Sequence, residues 1–572
     1  MPKDATDRPH RALVTRAGTA YLRSRTVSAC QVCRARRTKC DNERPCAYCR
    51  RTGAVCSSEP ASATAGFDPA SLAILAQLEE LSSEVKSLAG HVHRRRDCPS
   101  DSATVATPGS RALNLARHLQ RGNLAQVLAW DVWQPYQALR HAAAAVIPGA
   151  ESPRSCTVHI AGRDQGLDFS LFTNYLDDFF RNVHAANAVL NEQDVRAQLT
   201  KFLLGGVGWN ADSCLLLLVL ANGAASSSFG EHSAARPLVR RDEQRWASAM
   251  TLFEAAEKRK DMLWHAHHLT QARCHFYSGV FMMVSFRPFD AWRHFLQGLA
   301  TCQQLKGLRH GHKPHDPAYV EKQAEESIYW SCWKSEREIR SELDMPDFAS
   351  AGYDHPAMFP AVPEVLNQDG LRSWYFYLAE ISLWRFEMAA RQSMAELVKH
   401  EPEDMDALAR HIVDLDVSLA SWHASLPDEF PLDATAKVDT SDILPFVLHG
   451  RLTYNHEVVT WPFLETLLLF EEHRSALSME LAARGVRVHY DRLSINRLGF
   501  YHLHHGTWLM RSSSTRSVFV LLAVARSAFA DLLPPDWLQL VSDAVAMLEY
   551  WSDAPENAVL DFLKSVLRDF SP

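Results

Sequence analysis

The sequence predicts a mostly α chain in three parts: a small cysteine-rich head, a short amphipathic helix, and a large all-α body. Three observations support this reading. Six of the twelve cysteines fall between residues 30 and 56. Apolar residues then recur in a 4-3-4-3-4 rhythm from Ile74 to Val92. From about residue 113 onward they recur every three or four positions, with no sustained alternation of the kind strands require.

Length and composition bound the answer first. With 572 residues, the chain exceeds the size at which one hydrophobic core stops growing. A 47% hydrophobic content and a mean hydropathy of -0.20 are those of a globular chain, so wholesale disorder is excluded. Charge is unevenly spread. Residues 1–58 hold 13 Lys or Arg against 4 Asp or Glu, a balance of +9, which leaves -16 for the rest of a chain whose net charge is -7. A basic head on an acidic body is expected when only the head meets a polyanion. The N-terminus has no apolar core resembling a signal peptide. The longest apolar runs, Cys214 to Ala221 and Val518 to Ala525, are far short of the roughly twenty residues that span a bilayer, so no membrane partner is expected.

The cysteines read C-x2-C-x6-C-x5-C-x2-C-x6-C through Cys30, Cys33, Cys40, Cys46, Cys49 and Cys56. A two-residue gap puts two sulfurs on one turn of chain, where both reach a tetrahedral zinc, and the third sulfur returns from beyond a short helix. Each half supplies three thiolates. Two tetrahedral ions need eight metal–sulfur bonds, which six cysteines supply if two of them bridge. A disulfide set, a single four-cysteine zinc site that strands two thiols, and a zinc-ribbon-like interaction module are the competing readings. Against the last stand four cations, Arg34, Arg36, Arg37 and Lys39, on a helix too short to persist unless metal anchors its ends.

This segment resembles the fungal binuclear zinc cluster (Zn2Cys6) family, down to the proline that precedes its fourth cysteine, here Pro45. The resemblance implies two zinc ions bridged by Cys30 and Cys46, and a helix laid in the DNA major groove. It also implies that Arg36 and Arg37 read a CGG-like triplet; the commonest family pattern has lysine where this chain has Arg37. Arginine suits a guanine edge because it donates two hydrogen bonds to O6 and N7. Arg34, Lys39, Arg50 and Arg51 are expected on phosphates, which position the module without specifying sequence.

The expected domain order follows from composition. A basic tail (1–25) precedes the binuclear zinc cluster (26–58) and a linker (59–70) rich in small residues. Residues 71–93 place Ile74, Leu78, Leu81, Val85, Leu88 and Val92 at heptad a and d positions, as a short parallel coiled coil does, and predict a homodimer; a helix docked on the body gives the same stripe. A second linker (94–112) opens with Arg94, Arg95 and Arg96, a candidate nuclear-import signal.

The remaining residues, 113–572, form the all-α body. Stripes such as Ile412, Leu415, Leu419, Trp422 and Leu426, stopped by Pro427, and Trp374, Tyr377, Leu378, Ile381 and Met388 set its periodicity. The body resembles the fungal-specific transcription factor (middle homology) domain through weak motifs in order. These are His184-x-x-Asn187 with Leu190, where the usual next proline is Ala188; Asp290-Ala291-Trp292 with Gly298 and Ala300; and Tyr329 to Lys334 with Glu336, Glu342-Leu343 and Pro346. Trp422 to Pro427, Trp461 to Leu464, and His505-Gly506-Thr507-Trp508 follow. No H-E-x-x-H, phosphate-cradling glycine loop or G-x-S-x-G occurs, and the histidine groups 265/267/268, 310/312/315 and 502/504/505 lack an acidic signature, so no enzyme is expected.

The reading is a nuclear, sequence-specific regulator of RNA polymerase II promoters that binds double-stranded DNA. Its body is expected to answer to a coactivator, a corepressor or a small-molecule effector. The alternative is a zinc-stabilised interaction scaffold or ligand sensor without specific DNA recognition.

Overall fold

A computed structural model describes Cys30, residues 32–33, 36, 38, 40–41, 43 and 45–56, and then 115–119, 122–146, 167–229, 243–305, 318–346, 368–401, 403–426, 442–470, 475–551 and 557–570. The chain divides into two compact units, Met1–Gly109 and Ser110–Pro572. In the first, the one full helix among the described residues is α1 (Ala47–Thr52), and the hydrophobic cluster consists mainly of cysteines. The heptad residues Ile74 to Val92 and the Arg94 to Arg96 triplet lie outside the described residues.

The second unit is helical with no strand among the described residues, as its periodicity predicts. Its helices are α2 (Leu115–His118), α3 (Leu124–Leu128), α4 (Gln137–Val146), α5 (Phe172–Asn182), α6 (Glu192–Gly205), α7 (Ala211–Ala225), α8 (Glu243–Glu257), α9 (His268–Val284) and α10 (Pro288–Cys302). They continue with α11 (Ala318–Glu342), α12 (Gln368–His400), α13 (Met405–Ala424), α14 (Ile443–Leu469), α15 (Ala476–Gly499), α16 (Thr507–Ala525), α17 (Trp537–Tyr550) and α18 (Ala558–Arg568).

Two of these helices are apolar on every side and sit inside. The run from Cys214 to Ala221 lies in α7, whose residues from Ser213 to Ala225 are all buried, and the run from Val518 to Val524 is buried in α16. A helix that is hydrophobic all round needs neighbours all round. Thus α5, α8 and α9 pack on α7, and α15 and α17 pack on α16. The α5–α7 crossing is close enough to demand glycine: a Cβ on Gly223 would come 1.9 Å from the Tyr175 carbonyl oxygen, which is backbone and cannot give way. Capping sets the start of α7, where the Asn210 side chain accepts the Ser213 N–H at 2.8 Å.

The weak motifs of the body are structural cross-links. Trp292 Nε1 donates to Glu336 at 3.0 Å, and Arg340 pairs with the same carboxylate at 3.0 Å, so α10 is tied to α11. The His184 ring holds the backbone of Leu190, with Nε2 at 3.0 Å from its oxygen. Trp422 Nε1 donates to Ser382 at 2.6 Å, joining α13 to α12. Thr507 accepts the His504 N–H at 2.8 Å and donates to the His502 carbonyl at 3.0 Å, which shapes the entry to α16. Close to the end of the chain, α17 is a packed helix with Leu540, Val541, Ala544 and Leu548 buried.

At the centre is a chain of buried charges. Glu457, 1% exposed, pairs with Arg492 at 2.6 Å and with Arg516 at 3.0 Å, and Arg516 also reaches Glu342 at 2.7 Å. Such a set joins α14, α15, α16 and α11 because each partner would be a bare buried charge without the others. Replacing Arg516 by Met is expected to lower stability by about 3–5 kcal/mol, since Glu457 and Glu342 are then left under-compensated. Urea unfolding of the purified chain reads the change. Arg487→Ala, which breaks an exposed pair with Asp491, should move stability by less than about 0.5 kcal/mol.

Candidate metal centre

Local chain geometry in the head repeats with a period of sixteen residues, the separation of Cys30 and Cys46. In the first half the Cys33 N–H donates to Cys30 Sγ at 3.5 Å and the Thr38 N–H donates to the Cys33 carbonyl at 3.0 Å. In the second, the Cys49 N–H donates to Cys46 Sγ at 3.4 Å and the Ala54 N–H donates to the Cys49 carbonyl at 3.1 Å. Each half therefore begins with a thiol acting as the helix N-cap, makes one short turn of helix, and folds back toward its third cysteine. The fold-back in the second half uses Gly53 at φ 67°, a left-handed conformation that glycine adopts without cost.

These turns bring the sulfurs together. Cys30, Cys33, Cys46 and Cys49 are all nearly inaccessible, and their Sγ atoms lie within 4.8 Å of one another. Cys30 Sγ is 3.8 Å from Cys46 and 3.6 Å from Cys49, while Cys46 is 3.6 Å from Cys33. A disulfide needs about 2.05 Å, so these are not disulfides. A tetrahedron with zinc–sulfur bonds of about 2.3 Å has edges of about 3.8 Å, which the observed spacings match. The donor set therefore fits zinc. Cys40 lies within 4.8 Å of Cys46 and an Asp41 oxygen, and Cys56 Sγ accepts the Cys46 N–H at 3.4 Å.

Electrostatics explain why the cluster needs cations. The N–H bond from Cys33 lowers the pKa of Cys30, and that from Cys49 lowers the pKa of Cys46. Burial instead pushes Cys33 up to about 12, and Cys49 also upward. Thiolates packed this tightly are stable only when metal supplies the compensating charge.

Around the sulfurs, Arg36 is exposed on the first helical turn, its N–H bonded to the Val32 carbonyl at 3.1 Å. Arg50 and Arg51 are exposed on α1. Arg50 pairs with Glu43 at 3.1 Å, a surface contact worth under about 1 kcal/mol, and Arg51 lies 5.9 Å from the Tyr48 ring centre. Arg34, Arg37 and Lys39 lie outside the described residues.

Sequence reasoning missed Asp41. Its carboxylate accepts the Ala47 N–H at 3.0 Å and the Glu43 N–H at 3.3 Å, tying the interhalf loop to the start of α1, and the first of these bonds holds its pKa below the usual carboxylate range. The signal was present: an aspartate directly after the third cysteine, followed by Asn42 and a later proline, is turn chemistry.

The fold and site define a small zinc-organised domain joined to a large helical unit. The head is a Fungal Zn(2)-Cys(6) binuclear cluster domain, whose family model matches residues 28–64. This domain binds two zinc ions and indicates a family of fungal DNA-binding transcription regulators, not of enzymes. No curated protein matches the chain. Among the described residues, no helix is long and apolar enough to cross a membrane.

Zinc removal supplies the test of this centre. Metal analysis should find two zinc ions per chain. Chelation should abolish hydrogen-exchange protection across residues 30–56 and leave the helices of the second unit protected, because the head has little besides its cysteines to bury.

Proposed function

We propose that the chain is a nuclear, sequence-specific regulator of RNA polymerase II promoters that reads G-rich, CGG-like triplets. Arg36 and Arg37 contact guanine edges, and Arg34, Lys39, Arg50 and Arg51 contact phosphates. Cys30 and Cys46 bridge the two zinc ions. The observation that carries this reading is the position of Arg36. It is exposed on a turn that starts at a zinc-ligating cysteine, so the metal centre holds its backbone while the guanidinium remains free to meet a base.

The bridging assignment has its own support. Cys30 approaches Cys49 of the second half at 3.6 Å, and Cys46 approaches Cys33 of the first half at 3.6 Å. A thiolate shared by two ions must lie beside ligands of both halves. Residues 71–93 pair two copies through Ile74, Leu78, Leu81, Val85, Leu88 and Val92, and the body, 113–572, acts as the fungal-specific transcription factor domain that couples DNA binding to coactivator or corepressor.

Selection of a randomised duplex library by the full-length, zinc-loaded protein at near-physiological salt tests this. Enrichment of paired G-rich triplets is expected. Arg37→Ala should cost about 1–3 kcal/mol on the preferred site and relax that position, whereas Arg51→Ala should weaken all sequences alike and lower the salt slope by about one. Sequence-blind binding, or none, overturns the reading and favours a zinc-stabilised scaffold.

A further inference from the structure

The helical body forms a partly open cavity of about 150 Å³ between α11, α12, α14, α15 and α16. Its charged wall is unevenly compensated. Glu342 is bound by Arg516 and Ser512, and Glu380 is paired with Lys334. Arg492 is committed to Glu457 at 2.6 Å, and Arg451 to Glu387 at 2.6 Å. Arg451 is further covered by the rings of Trp384, at 3.4 Å, and Tyr454, at 4.6 Å. Glu338 is different. Its nearest cation is the same, already shared Arg451 at 3.7 Å, beyond hydrogen-bond range. It lies deep in the body, where burial raises its pKa, yet 37% of its side chain is accessible. A deep but accessible carboxylate is one that faces the cavity.

Two more features mark this space. Gly450 lies in the interior of α14, where glycine costs roughly 1 kcal/mol relative to alanine. A Cβ built there meets nothing within 4 Å, so the position opens on the cavity it lines. His504, 8% exposed, lines the same cavity. Its Nδ1 accepts the Gly506 N–H at 3.1 Å, which leaves the ring proton on Nε2, a buried donor without a partner. Phe446, Ile495, Leu509 and Met510 form the apolar part of the wall, beside the polar Thr453, Asn496 and Ser513.

We infer that this cavity is a binding site for a compact organic amine, whose ammonium group meets Glu338 while its apolar part rests on Phe446, Ile495, Leu509 and Met510. The charge argument selects a cation: both guanidiniums of the wall are committed, and the group left short of a counter-charge is a carboxylate. The volume of about 150 Å³ limits the apolar part to about the size of a benzene ring. This inference names the effector class for the body and is independent of what the zinc head reads.

Calorimetric titration of the full-length, zinc-loaded protein tests it. The probes are butylamine, cyclohexylamine, benzylamine and 2-phenylethylamine, with phenylacetate and benzyl alcohol as anionic and neutral counterparts. At least one amine should bind with a Kd of about 1 mM or tighter, and at least tenfold better than its counterparts. Glu338→Gln should weaken that amine about tenfold or more. Gly450→Leu should abolish binding by filling the space, and Gly450→Ala should retain it, with thermal unfolding of all three variants close to that of the parent. Absence of binding by every amine, equal binding of the counterparts, or undiminished binding by Glu338→Gln would each overturn the proposal and leave a water-filled cleft.

Discussion

Burying charge is costly unless an opposite charge meets it, and that constraint organises both units among the described residues. In the head the charges are thiolates. Sulfurs held 3.6 to 3.8 Å apart would repel strongly if ionised alone, and the turns that gather them are too short to persist by themselves. Zinc reverses the balance, converting a cost of burial into the domain's main source of order. In the body the charges are carboxylates and guanidiniums. Glu457 and Glu387 each hold two arginines, and together these pairs tie α11, α12, α14, α15 and α16 at fixed relative positions.

The two solutions differ in what they leave outside. With the cysteines packed inward, the described outer face of the head carries cations such as Arg36, Arg50 and Arg51. A hydrophobic core of the same size would need those positions for itself. The body, with ample apolar residues, instead buries two helices completely and surrounds them, and its ion pairs fix register between helices whose apolar faces alone would permit sliding. Where compensation is incomplete, at Glu338, the packing is incomplete as well, and a cavity stands beside it.

Much of this was legible in the residues. The duplicated C-x2-C-x6-C spacing specifies its own geometry because two intervening residues admit few arrangements of two sulfurs, and the sixteen-residue repeat of hydrogen bonds follows from it. Helical periodicity named the body correctly, since a 3.6-residue repeat is a local property. The stripe from Ile412 to Trp422 is a helix that ends at Ala424, before Leu426, consistent with a stop at Pro427. Asp41 was overlooked because its role is to accept two backbone N–H groups, which any aspartate in a turn can do.

The sequence by itself determined the metal and the all-α class, and proposed the six cysteine ligands, because cysteine spacing and hydrophobic period act over a few residues and need no partner from elsewhere in the chain. Only the tertiary structure decided which charges meet. Arg516 finds Glu342 across 174 positions, and Glu457 across 59. No local pattern distinguishes the paired Glu342 from the exposed-in-the-interior Glu338 four residues before it on the same helix. That difference arises from which neighbouring helices supply a guanidinium, and so it exists only once the helices have packed.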